Sequence, residues 1–233
     1  DGVFSVFNIT SIKNNEMCKT IPTITEAFRI YLEAKHLFHN RNKEADLLIV
    51  ERMLRKSIEI DDRLINAYML LGELFTTEGE YVSALKIYKK SLQYCREIDD
   101  KNKLAACLND IGDVLFELGR LDEALAYQQE SLSICENVDN IRGIGYVLNS
   151  IGNIYSKKDD YENAEKYLLN SLEIRKLLDN DLNIAITLGN LSLIKISSEE
   201  YLKAKDLAEE SLKIRQKIND KYGIYLCLTT SEK

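Results

Sequence analysis

The sequence predicts an all-α fold, a right-handed superhelix (an α-solenoid) built from antiparallel helix pairs. The first observation is a forty-residue period, at which Gly72, Gly112 and Gly152 recur. The second is that other small residues return at the same interval, namely Ala84, Ala124, Ala164 and Ala204, and again Ser91, Ser131, Ser171 and Ser211. A fixed period of this length is typical of stacked repeats, in which one supersecondary unit cannot bury its apolar face alone.

Composition narrows the classes of partner. The 233 residues are 45% hydrophobic and 30% charged, which is typical of a folded chain rather than a disordered one. A net charge of −7 disfavours general affinity for nucleic acid or for anionic membranes. No apolar run approaches the ~18–20 residues that cross a bilayer. We therefore expect neither nucleic acid nor membrane among the partners.

The five cysteines predict no disulfide framework. They include no CxxC pair, and Cys95 and Cys135 occupy the same place in successive repeats, which is typical of small core residues. A reducing cytoplasm fits this usage best. The sequence opens on Asp1 and stops inside a new repeat, so we expect a segment of a longer protein.

The elements follow in order along the chain. Residues 1–24 do not fit the period and are predicted to be a lead-in. The array spans 25–230, and its first copy, 25–60, is degenerate: apolar residues such as Ala27, Ile30 and Ala34 recur at helical spacing. Four plain copies lie at about 62–98, 101–138, 141–178 and 181–218, and a partial copy begins at 221.

Each plain copy predicts two helices in close contact. The second copy shows the pattern: Leu108, Ile111 and Gly112 share one face of the first helix, and Ala124 and Ser131 share one face of the second. Small residues at fixed places let two helix backbones approach closely while larger neighbours fill the remaining space. The turns between copies carry Asp99-Asp100, Asp139-Asn140, Asp179-Asn180 and Asn219-Asp220, which favour helix caps.

These residues resemble the tetratricopeptide repeat, with its small residue in the first helix, an aromatic three positions later and an alanine in the second helix. The resemblance covers about 26–230, and the forty-residue form is similar to that of spindle-orientation and kinesin-light-chain adaptors and of many bacterial signalling proteins. The usual tryptophan is replaced, and no proline follows the second helix. In the fourth copy Ser192 replaces the glycine and Lys195 the aromatic, which predicts poorer packing there.

No catalytic, metal or cofactor site is expected. His36 and His39 are the only histidines and lack a nearby cysteine or acidic partner, so we interpret them as solvated turn residues. The glycines stand singly rather than in a phosphate-binding loop, and no Ser–His–Asp or Cys–His grouping can be assembled. We therefore predict that the chain is not an enzyme.

In proteins that the chain resembles, the first helix of each unit forms the concave wall, which implies a groove on these helices. Asn, Asp, Ser and small apolar residues outnumber Lys and Glu there, a composition that suits hydrogen bonds to a peptide backbone. The candidate groove residues are Asn66, Glu73, Asn109, Asp110, Asp113, Tyr146, Asn149, Asn153, Lys157 and Asn190. The alternative is that this wall is only an inner helix face crowded by its neighbours.

The resemblance and the groove residues lead to one leading function. It is a non-catalytic protein-interaction scaffold that holds a peptide or a helix in its concave groove. Chaperone-binding relatives clamp a C-terminal carboxylate with Lys and Arg, and those bases are absent here, so a polar or basic peptide is the expected ligand. The alternative is a regulatory or sensor module of a larger bacterial signalling protein (cyclase, kinase or transcription regulator) that closes on its own effector domain. The N-terminal piece resembles the repeat region of some such proteins.

Overall fold

A computed structural model describes residues 14–40 and 45–230, with side-chain surroundings given for 25–40 and 46–225. It confirms the all-α class of helix pairs. The described residues form α1 Asn14–His39, α2 Ala45–Ile60, α3 Ile65–Thr77, α4 Tyr81–Glu97, α5 Lys101–Glu117, α6 Leu121–Asn137, α7 Ile141–Lys157, α8 Tyr161–Leu177, α9 Asp181–Ser197, α10 Tyr201–Lys217 and α11 Lys221–Thr230. Helix α1 begins inside the segment predicted as a lead-in, and residues 1–13 of that segment lie outside the described residues.

The chain divides into two compact units, residues 1–94 and 95–233. In the first, α1 packs on α2 and α2 on α3. In the second, α5 pairs with α6, α7 with α8, and α9 with α10, and each pair packs on the next. None of the helices in the described part of the chain is both long and apolar enough to cross a membrane.

The repeated glycines lie where the two helices of a pair approach most closely. A Cβ atom on Gly112 would come within 2.6 Å of the Gln128 side chain, and one on Gly152 within 2.7 Å of Leu168. Leu168 is fully buried, so little room exists for it to move away. The missing side chain at Gly112 and Gly152 therefore determines how near α6 and α8 can lie to α5 and α7.

The repeated serines form hydrogen bonds between the same two helices. The hydroxyls of Ser131, Ser171 and Ser211 donate to the backbone carbonyls of Ala105, Gly145 and Ala185, at 2.7, 2.7 and 2.8 Å. Ser57 donates likewise to the carbonyl of Ala27 at 2.7 Å. Ser91 is equally buried, yet its hydroxyl has no hydrogen-bond partner among the described residues.

The predicted caps are confirmed. The side chains of Asp100, Asn140 and Asn180 accept from the backbone N–H three residues on, in the first turn of the helix that follows. The residue before each later cap, such as Asp139 with φ 52° and Asp179 with φ 49°, takes the left-handed conformation. Aspartate and asparagine tolerate that conformation better than most residues, so each turn reverses the chain within a few positions.

The buried role of Cys95 and Cys135 is also confirmed, since both are almost fully excluded from solvent. The two histidines are exposed near the end of α1. In the fourth copy, Lys195 takes the aromatic position and is only 8% exposed, but its ammonium lies 2.7 Å from both Glu165 and Glu200. The ion pairs with Glu165 and Glu200 therefore compensate the charge of the lysine that stands in place of the aromatic residue.

The two serine environments make a matched stability test. Ser171→Ala removes a buried hydrogen bond and is expected to lower the free energy of unfolding by about 1 kcal/mol. Ser91→Ala removes a hydroxyl that has no described partner and should cost less, or stabilise the protein. Urea unfolding of both variants against wild type measures the difference. Equal losses would contradict the assigned role of the hydroxyl.

Candidate functional site

The first helices of the second unit lie side by side, because α7 contacts both α5 and α9. Eight of the ten predicted groove residues lie on them, and we call the surface formed by these eight the first-helix face: Asn109, Asp110 and Asp113 on α5, Tyr146, Asn149, Asn153 and Lys157 on α7, and Asn190 on α9. Asn66 and Glu73 lie on α3, in the first unit, where Asn66 is half-buried and Glu73 exposed.

Asn149 is the centre of a buried polar cluster rather than an open contact point. Its side chain is 8% exposed, and its Oδ1 accepts from Asn190 Nδ2 at 3.3 Å and from Thr187 Oγ1 at 3.4 Å. Arg175, on α8, donates to the same oxygen from Nη1 at 3.2 Å. The structure therefore brings Asn149 and Asn190 together, but around a residue of this chain.

Arg175 was missed from the sequence, although it stands where the earlier repeats have Cys95 and Cys135. It is 5% exposed, and Nη1 also donates to the carbonyl of Asn183 at 2.9 Å and to Thr187 Oγ1 at 2.5 Å. No carboxylate of the described residues pairs with it, and burial lowers the pKa of its guanidinium to about 10. The sequence did contain a signal for this residue, namely a cationic side chain at a position where two earlier repeats have cysteine.

Tyr146 covers the buried arginine. The guanidinium of Arg175 lies 5.5 Å from the centre of the Tyr146 ring, a distance typical of cation–π contact. The tyrosine hydroxyl accepts from Asn183 Nδ2 at 2.9 Å, which joins α7 to α9. Since Tyr146 is still 42% exposed as a residue, it contacts both solvent and Arg175.

Asp113 is turned towards the second helix of its own pair. Its two oxygens accept from Gln128 Nε2 at 2.8 Å and from Asn109 Nδ2 at 3.1 Å. Burial raises the pKa of the Asp113 carboxyl to about 6, against the opposing effect of hydrogen bonds from Ser150, Asn109 and Gln128. The carboxyl thus serves the contact between helices and fixes the orientation of the Asn109 amide.

A cleft of about 360 Å³ opens between α5 and α7. Three of the predicted residues, Asn109, Asp110 and Tyr146, line it, and Cys135 of α6 lines it too. Asn153 and Lys157 lie further along α7, half-buried and exposed respectively. The amides and carboxylate of this surface can hydrogen-bond a ligand, and no cluster of three potential metal ligands occurs in the described ranges.

Asp113 gives the protein a pH-dependent stability. Because its folded-state pKa of about 6 lies above the ordinary 3.8, the stability from this group is full below pH 3.8 and is lost as the pH rises through 6. Asp113→Asn should therefore raise the free energy of unfolding by about 1–3 kcal/mol at pH 7.5 and change it little at pH 4. Urea unfolding of both proteins between pH 4 and 8 tests this; parallel pH profiles would refute a raised pKa.

The comparisons with known proteins agree with the paired-helix fold. The profile of the tetratricopeptide repeat family matches residues 63–137 and 144–217, more than half of the chain. No curated protein gives a significant match to the sequence.

Several solved structures share the fold. BtubC (BKLC) from P. vanneervenii is 20% identical with a TM-score of 0.58, and the alignment covers 91% of this chain and 89% of that one. The apo form of RapI is 16% identical with a TM-score of 0.73, covering 84% and 72%.

A third structure, aspartyl phosphate phosphatase F from Bacillus subtilis, is 12% identical with a TM-score of 0.75. The alignment covers 91% of this chain but only 56% of the phosphatase. At these identities the likeness concerns the fold alone. The family profile, the forty-residue period and the paired helices lead to one conclusion: the chain belongs to the tetratricopeptide repeat family.

Proposed function

We propose that the chain is a non-catalytic protein-interaction scaffold that binds an extended peptide across the first-helix face. The single observation that carries the proposal is the cleft between α5 and α7, lined by Asn109, Asp110 and Tyr146. Amide groups that both donate and accept are suited to the alternating N–H and C=O groups of a peptide backbone. Tetratricopeptide repeat proteins are generally non-catalytic interaction scaffolds.

The charges of the face favour a peptide with at least one basic side chain. Asp110 lines the cleft, and Asp113 accepts hydrogen bonds from Gln128 and from Asn109. Lys157 is exposed at the far end of α7. A basic residue of the ligand near α5 therefore meets a carboxylate, which acts mainly on the association rate and its salt dependence.

Asn149 contributes to the first-helix face through buried hydrogen bonds rather than through an exposed contact. Its Oδ1 accepts from Arg175, Thr187 and Asn190, so Asn149→Ala should lower stability as well as binding. Asn153 makes no hydrogen bond to any described side chain, and it is the better residue for testing binding alone.

The test starts from a phage-displayed library of random dodecapeptides selected against the folded protein. Selected peptides should bind Asn153→Ala and Asp110→Ala at least tenfold more weakly than wild type, because each variant loses a polar contact of about 1.4 kcal/mol. The Asp110→Ala variant should also show a smaller salt dependence. Fluorescence anisotropy with a labelled peptide measures both effects.

Gln129→Ala is the matched control, since Gln129 is an exposed residue of the second helix α6. It should bind the peptides as wild type does. Equal affinity for wild type and both groove variants would place binding elsewhere on the molecule and refute the proposal. A regulatory role beside an effector domain and a cytoplasmic location remain predictions from the sequence.

A further inference from the structure

The forty-residue period relates the open cleft to a site that is already filled. Arg175 contacts Asn149, Asn183 and Thr187 by hydrogen bonds and Tyr146 through its ring. Forty residues earlier, the counterparts of these four residues are Asn109, Gly143, Val147 and Ala106, and all four line the cleft between α5 and α7. The cleft is therefore the equivalent of the space that the Arg175 side chain occupies.

The cleft is open because the residue at the arginine position is small. Cys135 is the counterpart of Arg175 and lines the cleft from α6. In the following repeat the counterpart is Arg215, whose guanidinium lies where a Cβ on Gly223 would stand, 1.7 Å from that position. Gly143, the counterpart of Gly223, likewise has no side chain. Arg215 instead pairs with Asp220 at 2.6 Å, and the counterpart of Gly223 in the preceding repeat is Asn183, whose side chain takes up that position. Arg175 thus fills the space in its own repeat, and the repeat before it leaves the space open.

A buried acceptor without a partner lies at the open position. The Oδ1 of Asn109 is buried and accepts no hydrogen bond from the described residues. Its counterpart, the Oδ1 of Asn149, accepts from Arg175. The Asn109 amide is held in orientation because its Nδ2 donates to Asp113. A buried carbonyl oxygen left unpaired in this way is costly, and a ligand donor would remove the cost.

We infer that the cleft between α5 and α7 binds an arginine side chain of the peptide ligand, in the way that the next repeat binds Arg175. The inference rests on the proposed peptide-binding function and names the side chain that this position selects. The guanidinium would donate to Asn109 Oδ1 and to the carbonyl of Gly143, the counterparts of two acceptors of Arg175. Asp110 supplies the carboxylate that the Arg175 site lacks.

The acceptors favour arginine over lysine. A planar guanidinium offers several N–H groups in fixed directions, whereas an ammonium is a compact and strongly hydrated point charge. Arg142, an exposed residue, also lines the cleft and offsets part of the negative charge of Asp110. The preference for arginine therefore depends more on the positions of the acceptor oxygens than on net charge. A neutral ligand of the same shape that has fewer N–H donors should bind poorly.

The experiment uses N-acetyl-L-arginine methylamide as the probe, titrated into the ¹⁵N-labelled protein and followed by NMR. The backbone amide signals of Asn109 and Gly143 are expected to shift. The citrulline and lysine counterparts of the probe should bind at least tenfold more weakly. Absence of binding by the arginine probe, or equal binding by citrulline, would overturn the inference.

Cys135→Arg is the decisive variant, because it supplies the arginine from the chain itself. Since Arg175 and Arg215 occupy the equivalent positions, the variant is expected to fold and to bind the probe at least tenfold more weakly. Gln129→Arg adds an arginine at an exposed position of α6 outside the cleft and should bind as wild type does. Unchanged binding by a folded Cys135→Arg protein would overturn the inference.

If Cys135→Arg does not fold, Asp110→Asn tests whether the cleft binds arginine. It should weaken binding of the arginine probe at least threefold, and unchanged affinity would count as refutation. Failure of the inference is distinguishable from failure of the proposed function. Display-selected dodecapeptides that depend on Asn153 but tolerate Cys135→Arg would leave peptide binding intact while removing the arginine site.

Discussion

The close contact between the two helices of each pair is the constraint on which the rest of the molecule depends. At Gly152 the absence of a side chain lets Leu168 and the carbonyl of Ala164 approach the first helix directly. The same approach brings Ser171 within hydrogen-bond distance of the carbonyl of Gly145. In the second unit the same bond recurs at Ser131 and Ser211, so α5, α7 and α9 each contact their second helix in the same way.

Because the contact between the two helices is the same in these repeats, the residue type at neighbouring positions can vary without a change in the backbone arrangement. At one such position Cys135 is small, and Arg175 and Arg215 are large. Arg215 pairs with Asp220 at 2.6 Å, whereas Arg175 bonds to neutral groups. The repeats thus share one backbone arrangement but differ in the space and the charge that they offer beside the first-helix face. Differences of this kind are a simple route to binding specificity in a repeat array.

The sequence predicted those parts of the fold that depend on local rules. Glycine spacing, the buried cysteines and the caps at Asn140 and Asn180 follow from residue size, burial and backbone preference, and the structure confirms them. The sequence did not predict the inward turn of Asp113 or the reach of Arg175. The position of a residue in a helix predicts the face on which it lies. Whether its long side chain bonds to a neighbouring helix depends on the distance between the helices, which the sequence does not provide.

The most direct test of the central claim compares two glycines of first helices. A Cβ on Gly152 would lie 2.7 Å from Leu168, whereas one on Gly189 would meet nothing nearer than 4.0 Å. Measured by urea unfolding, Gly152→Ala should lower the free energy of unfolding by about 1–3 kcal/mol through overpacking. Gly189→Ala should leave it unchanged or raise it by up to about 1 kcal/mol, since alanine favours the helix. If Gly152→Ala is as stable as Gly189→Ala, close approach at the repeated glycine does not set the arrangement of the pairs.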